Sequence, residues 1–138
     1  MNYREPPNDD LLVCFSSADG VLSGLRVSTG ELCWTRPIPT RRKPTMALTV
    51  DRVVIATEDG ELYCVDRHDG RALWQQRVSS SSMIKHEALL GIFSDRIVVC
   101  HRGSLRCYDL DGELQWSGSR RVAAMGMPGC VVEYREPV

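Results

Sequence analysis

The chain has 138 residues, 43% of them hydrophobic, and this length and composition fit one domain with a core of its own. Its formal net charge of −1 gives no field over the whole surface that would attract nucleic acid or an anionic membrane. No apolar stretch approaches the roughly 20 residues of a membrane span, and residues 1–10 lack a signal peptide's apolar core, so, unless a leader has been removed, we expect a cytoplasmic chain without membrane contact.

Short strands are predicted along the chain from alternating apolar residues, and tight turns from Asp-Gly and Thr-Gly pairs. Residues 1–10 are expected to form an irregular arm. The remainder divides into repeats over about 11–38, 45–78 and 88–117 and a half-repeat over 122–134. The predicted strands are 11–16, 21–28 and 31–38; 45–50, 53–57, 61–67 and 72–78; 88–93, 97–101, 104–110 and 113–117; and 122–127 and 130–134.

Each repeat has a tryptophan on its last strand and a glycine in the turn before it. Both landmarks recur after 40 and then 42 residues, at Trp34, Trp74 and Trp116 and at Gly30, Gly70 and Gly112. A period of about 40 to 45 residues with four short strands is typical of a β-propeller blade. Because one blade cannot bury both of its faces, blades stack, and a broad indole is suited to cover the seam between two of them. We therefore predict an all-β propeller segment over 11–138, with the three tryptophans as blade-packing residues.

The number of strands indicates an incomplete ring. The first repeat lacks an innermost strand, the second and third have four each, and the tail has two. Closed propellers usually have about four to eight blades, and open ends leave apolar surfaces and unpaired edges. We expect oligomerisation to close the ring, most simply as a dimer in which the tail of one subunit supplies the missing strand of the next. An accessory chain that completes the ring, or a longer protein of which this is a piece, would serve equally.

The segment at 58–74, Glu-Asp-Gly-Glu-Leu-Tyr-Cys-Val-Asp-Arg-His-Asp-Gly-Arg-Ala-Leu-Trp, resembles the PQQ-like (quinoprotein-like) repeat, and the resemblance extends from about residue 11 to 117. It implies a β-propeller of four-stranded blades. Similar repeats build quinoprotein dehydrogenases, outer-membrane assembly lipoproteins and scaffold propellers without a cofactor. This sequence departs from the enzymes because it has no vicinal cysteine pair and no clustered Glu, Asn and Asp set that would hold calcium. We therefore expect no cofactor and no enzyme activity.

Six cysteines, at positions 14, 33, 64, 100, 107 and 130, contain no Cys-x-x-Cys pair. Zinc sites need paired ligands at short, fixed spacing, so we predict no metal site. Cys64 and Cys107 occupy equivalent repeat positions, which favours packing over chemistry. We interpret Cys14, Cys64, Cys100 and Cys107 as small buried residues of the strands.

The three histidines are scattered along the chain. His68 lies in a predicted turn, His86 just before a strand and His101 at a strand end beside Cys100. Neighbouring residues on a strand face opposite sides of the sheet, so Cys100 and His101 cannot form a catalytic pair. No Ser-His-Asp order, glycine-rich phosphate loop or paired carboxylates stand out. We interpret the histidines as surface or turn residues and predict no catalytic residue.

Two basic clusters follow the last strands of the first and third repeats: Arg41, Arg42 and Lys43, and Arg120 and Arg121. Equivalent connections lie on one rim of a propeller, where two basic patches suit an acidic partner peptide. Solvated linkers are the alternative interpretation, and the lack of interleaved aromatic residues argues against nucleic acid.

The sequence thus predicts a non-enzymatic β-propeller scaffold for protein–protein interaction or assembly. Stacked blades would hold their loops at fixed separations, and partners would dock on a rim or across the central opening. One alternative is a propeller that binds a small molecule in its central funnel. Another is a subunit of a larger bacterial complex. A PQQ-dependent dehydrogenase is the third.

Overall fold

The computed structural model describes residues 10–40, 42–79, 88–102 and 104–119. These residues form eleven strands, all paired antiparallel to their neighbours. The strands are β1 (Leu11–Ser16), β2 (Val21–Arg26), β3 (Leu32–Pro37), β4 (Thr45–Leu48), β5 (Arg52–Ala56), β6 (Glu61–Asp66), β7 (Ala72–Arg77), β8 (Leu89–Phe93), β9 (Arg96–His101), β10 (Ser104–Asp109) and β11 (Leu114–Ser119). In this part of the chain no helix is long and apolar enough to cross a membrane.

The strands form three separate sheets in which each strand pairs with its neighbour in sequence. Strands β1 to β3 make the first sheet, β4 to β7 the second and β8 to β11 the third. We call them the first, second and third blades. The predicted all-β class and propeller-blade architecture are confirmed. Of the expected arm at 1–10, only Asp10 is among the described residues, and the tail strands at 122–127 and 130–134 lie outside them.

The core lies between the blades, in two layers. The first layer packs Leu22, Trp34 and Ile38 of the first blade and its exit against Val53, Ile55 and Val65 of the second. The second layer packs the opposite face of the second blade against the third and contains Val54, Ala56, Leu62, Cys64, Ile97, Val99 and Tyr108. Since both faces of the second blade are covered, β5 is a nearly continuous apolar run and not an alternating one.

The hairpins opposite the tryptophans share one irregularity. The pairing register shifts between Gly24 and Leu25 in β2, between Cys64 and Val65 in β6, and between Cys107 and Tyr108 in β10. A shift of this kind is a β-bulge, which bends and twists its strand. Because the bulge recurs at equivalent positions, the turn that follows each of these strands points in the same direction relative to its blade.

Candidate protein-interaction surface

Trp34 on β3 joins the first blade to the second. Its indole Nε1 donates a 2.8 Å hydrogen bond to the carbonyl oxygen of Arg67. The ring lies over Gly70, where an added Cβ would come 2.4 Å from Trp34 Cε3. Gly70 also has a φ of +73°, a conformation that glycine adopts without steric cost. The turn therefore needs glycine for two reasons, its backbone conformation and the approach of the ring.

Trp74 on β7 joins the second blade to the third in the same way. Its Nε1 donates a 2.9 Å hydrogen bond to the carbonyl of Leu110, and an added Cβ at Gly112 would come 2.6 Å from Trp74 Cδ2. The side chain two residues further on completes each joint. Arg36 Nε donates to the Gly70 carbonyl at 2.7 Å, and Gln76 Nε2 donates to the Gly112 carbonyl at 3.0 Å.

The third tryptophan has no such partner in the described part of the chain. Trp116 is 48% exposed, whereas Trp34 is 7% exposed. At the other end, the turn glycine of the first blade is open: an added Cβ at Gly30 would meet no described atom within 4 Å. Among the residues that the structure describes, the two halves of one joint therefore both lack a partner, one on the third blade and one on the first.

The two outer faces expose side chains whose counterparts are buried inside. Leu12 pairs with Leu25 in the register in which Val53 pairs with Val65 and Ile97 with Tyr108. Val53 and Ile97 are 0% exposed, and Leu12 is 49% exposed. We call the surface formed by Leu12, Leu25 and the turn at 27–30 the first-blade face.

The corresponding outer surface of the third blade meets solvent in part, since Cys107 on it is 2% exposed. Val98 pairs with Cys107 there as Val54 pairs with Cys64 inside. Val54 is buried, but Val98 is half-buried, and so is Leu105 beside it. We call the surface formed by Val98, Leu105 and Trp116 the third-blade face. Contiguous apolar exposure of this kind marks surfaces that bind other proteins.

A groove of about 780 Å³ lies on one rim between the first and second blades. Its lining includes Asp19, Thr40, Arg42, Glu58 and Asp59. Arg42 Nε lies 3.4 Å from Glu58 Oε2, so the cation that the sequence assigns to an acidic partner already has a carboxylate beside it. The groove thus carries both signs of charge.

The other predicted basic residues are distributed as follows. Lys43 is exposed, next to Arg42. Arg41, Arg120 and Arg121 lie outside the described residues. Whether the two basic clusters share a rim stays a prediction.

His101 is buried, which corrects its interpretation as a surface or turn residue. It is 2% exposed and joins the third blade to the second. Its Nε2 donates a 2.8 Å hydrogen bond to the carbonyl of Glu58, so its Nδ1 can accept a short hydrogen bond from the Ser79 hydroxyl. Of the other histidines, His68 is exposed in its turn, as predicted, and His86 lies outside the described residues.

In the Ser79–His101 pair the hydroxyl donates to the imidazole, as a nucleophile does to its general base. The surroundings of the pair, however, indicate a structural role. A Cβ added at Gly60 would lie 2.7 Å from Ser79 Oγ and 3.3 Å from His101 Cε1. The turn backbone therefore covers both side chains. Neither residue lines the rim groove. The pair holds the turn of the second blade to the end of β9.

Cys64 and Cys107 are buried, as predicted, while Cys14 and Cys100 are half-buried and Cys33 is exposed. Burial raises the pKa of the Cys64 thiol to about 12, against the opposing effect of Arg52. Burial also raises the pKa of Cys107. Thiols with raised pKa values stay protonated at neutral pH and are poor nucleophiles and metal ligands. Cys130 lies outside the described residues.

Comparison with known proteins gives one family and several similar folds. The family model described as outer membrane protein assembly factor BamB matches residues 18–131. The crystal structure of BamB from Moraxella catarrhalis is similar with a TM-score of 0.66 and 20% identity over 85% of this chain. Quinohemoprotein alcohol dehydrogenase from Comamonas testosteroni is similar with a TM-score of 0.63 and 19% identity over 80% of this chain. A europium-containing methanol dehydrogenase gives a TM-score of 0.61 and 14% identity over 80% of this chain.

The chain spans 36% of the BamB chain and 20% and 23% of the two dehydrogenase chains. At these identities the likeness is one of fold. No curated protein matches the sequence.

Proposed function

Because the chain belongs to the family of the outer membrane protein assembly factor BamB, we propose that it is a non-enzymatic propeller scaffold that acts by binding other proteins. One observation carries the proposal: Leu12 is 49% exposed at a position where Val53 and Ile97 are 0% exposed. An apolar side chain built for the space between blades is stabilised when a protein surface covers it. The family's description as an assembly factor supports the same role.

Site-specific photocrosslinking in the source cell tests the proposal. A photoreactive phenylalanine analogue replaces Leu12 in one variant and Trp116 in another, so that it reports on each outer face. Val50 serves as the control position because it is 70% exposed and lies in the turn between β4 and β5 of the second blade, which forms neither outer face. Protein adducts at positions 12 and 116 with few at 50 are expected. Equal yields at the three positions would contradict the scaffold function.

The rim carries a second, smaller part of this proposal. Arg42 and Lys43 stand exposed beside the groove, and an acidic peptide would be attracted to them most strongly at low ionic strength. Charge reversal of both residues should weaken the binding of an acidic partner, and Glu58→Gln, which removes the carboxylate beside Arg42, should strengthen it. A partner whose affinity is indifferent to both variants does not bind at this rim.

Small-molecule binding is the alternative that a specific observation favours. The rim groove of about 780 Å³ has the size of a ligand site. Its lining combines carboxylates, Arg42 and short polar side chains with Ala18, Ile38 and Pro39, and ligand sites likewise place a few polar groups among apolar ones. Absorbance of a retained compound in the purified protein, lost in a variant with Arg42 and Glu58 both replaced by alanine, would favour this alternative over the scaffold.

The dehydrogenase neighbours imply a quinone cofactor held with a metal ion, and the described residues do not fit it. In the described ranges no group of three or more His, Cys, Asp or Glu side chains could hold a metal ion. Of the carboxylates at the rim, Glu58 is paired with Arg42, and Asp59 follows it in a turn. We therefore assign no step of catalysis to the chain. Calcium-dependent and quinone-dependent reduction of a dye by the purified protein would overturn this part of the proposal.

Location and assembly state remain proposals. We propose a cytoplasmic chain that completes its ring with protein, either a copy of itself or an accessory subunit. Fractionation of the source cell tests the first statement: recovery with the membrane or periplasmic fraction would contradict it.

A further inference from the structure

We propose that Trp116 of one chain docks on the Gly30 turn of a second copy, joining the third blade of the first chain to the first blade of the second. This inference rests on the proposed protein-binding function and names the partner and the contact. The inference starts from one observation. The contact of a tryptophan with a turn glycine joins blades twice within the chain, and the chain carries one more copy of each part, Trp116 and the Gly30 turn. Neither half is occupied among the described residues.

The acceptor half has the geometry of an occupied joint. Gly30 N donates to the carbonyl of Arg26 at 2.7 Å, as Gly70 N donates to that of Asp66 at 2.9 Å. Both glycines have a φ of +73°. The turns have equal length, and each follows a bulge of the strand before it. The turn at 27–30 therefore presents the surface on which Trp34 lies at the turn 67–70, without a ring on it.

The donor half is equally well formed. Trp116 pairs with Cys107 across the sheet, as Trp74 pairs with Cys64 and Trp34 with Gly24. The pairing puts the indole at the same place on the outermost strand of its blade. Trp116 is 48% exposed, and no described residue accepts a hydrogen bond from its indole N–H, whereas the N–H groups of Trp34 and Trp74 are paired.

The rest of the two faces agrees with this pairing. Leu12 and Leu25 of the first-blade face stand where Val53 and Val65 fill the inner layer. Val98 of the third-blade face stands where Val54 does in the other layer. Each internal joint brings these two kinds of face together, so the outer faces of two copies match as the inner faces of one copy do. The carbonyl of Val27, equivalent to that of Arg67, is the expected acceptor for Trp116 Nε1.

The contact is head to tail, with two different surfaces meeting. A heterologous contact forms a ring when its rotation closes and a filament when it does not. Since propellers close with about four to eight blades, two copies of the three described blades give a ring within that range. A dimer is therefore the expected product.

The test is the solution mass of the full chain by light scattering on a sizing column. The wild-type chain is expected at twice its 15.5 kDa. Trp116→Ala alters the third-blade face and Leu12→Glu alters the first-blade face. Each variant is expected to be a monomer. Val50→Glu, which puts the same charge at an exposed apolar site elsewhere, is expected to leave the dimer intact. Circular dichroism and urea unfolding confirm that each variant is folded.

Mixing the two monomeric variants gives the decisive result. Trp116→Ala keeps an intact first-blade face and Leu12→Glu an intact third-blade face, so the mixture can form one head-to-tail joint. A dimer in the mixture, absent from either variant alone, supports the proposal. A mixture that stays monomeric although the wild type is a dimer would overturn it, because the two intact faces would then fail to bind each other.

A wild-type chain that is a monomer at all accessible concentrations would also overturn self-docking. The scaffold function would survive that result if the photoreactive group at position 12 or 116 captured a different protein. Loss of both the dimer and the adducts would remove the scaffold function as well.

Discussion

The Cβ atom that alanine would bring to Gly70 would lie 2.4 Å from Cε3 of Trp34. The first blade is thus joined to the second by a ring that rests on main chain without a side chain between them. Gly30 has the same φ of +73°, and no described atom lies within 4 Å of the Cβ that it lacks. Alanine substitutions at the two glycines therefore distinguish the free-energy cost of the backbone conformation from the cost of losing the contact with the tryptophan.

Gly70→Ala should destabilise the chain more than Gly30→Ala. Both place alanine at positive φ, which costs about 1–2 kcal/mol. Only Gly70→Ala also displaces a packed ring, which adds about 1–3 kcal/mol. Urea unfolding measures both, in the Trp116→Ala background so that association does not contribute. Equal losses at the two positions would show that the ring of Trp34 is not held on Gly70.

Trp34→Phe isolates the hydrogen bond of the joint. Phenylalanine keeps an aromatic ring near Gly70 but removes the indole donor that is 2.8 Å from the Arg67 carbonyl. Leaving a part-buried carbonyl unpaired costs about 1–3 kcal/mol. The free energy of unfolding of the monomer should fall by that amount, whereas Trp116→Phe should change it little. A neutral Trp34→Phe would mean that water replaces the indole at this carbonyl.

His101→Leu should destabilise the contact between the second and third blades. The leucine has a similar size but leaves the Ser79 hydroxyl and the Glu58 carbonyl without their partner, at a cost of about 2–4 kcal/mol. His68→Leu, at an exposed turn, is the matched control and should stay within about 0.5 kcal/mol. Thermal unfolding of the two variants compares them. Equal stability would contradict the structural role of the buried pair.

Stability should fall with rising pH above 9 because of Cys64. Burial raises its pKa from 9.0 to about 12, so the native thiol keeps its proton where the unfolded thiol loses it. Between these values the native state binds more protons than the unfolded state, and the free energy of unfolding therefore decreases as pH rises. Below pH 9 both states are protonated and this contribution is fully present.

Urea unfolding of the wild type and of Cys64→Ala between pH 8 and 11 checks this sign. The variant starts less stable, because it leaves a cavity, but its stability should depend less steeply on pH. Alkylation gives an independent measurement: at pH 8 the exposed Cys33 should react and Cys64 should not. Parallel pH profiles together with rapid alkylation of Cys64 in the native chain would contradict its burial.

Much of the fold follows from local sequence because its signals are local. Alternating residues and turn glycines predict the strand β6 and the Gly70 turn, and the 40-residue spacing of Trp34 and Trp74 predicts blades. The carbonyl groups that accept hydrogen bonds from the indoles cannot be predicted from the sequence. The positions of Arg67 and Leu110 depend on the bulge and turn of another blade. The ion pair of Arg42 with Glu58 is likewise invisible in sequence, since it joins loops of two blades.

The sequence contains a sign that His101 is buried, although its position at the end of a strand suggests exposure. Ile97, Val99 and His101 share one face of β9 at a period of two, and the first two are apolar. A residue on a buried face remains buried at the strand end when the neighbouring blade extends past it. The neighbour here is the turn containing Glu58 and Gly60, and its position depends on how the blades stack.

The central claim is that protein covers the two outer faces. Carbene footprinting of the purified chain at high dilution and of the native assembly isolated from its source cell tests it most directly. Labelling at Leu12 and Trp116 should fall several-fold in the assembly, while labelling at Val50 should not change. Equal labelling of all three positions in the two samples would contradict the claim.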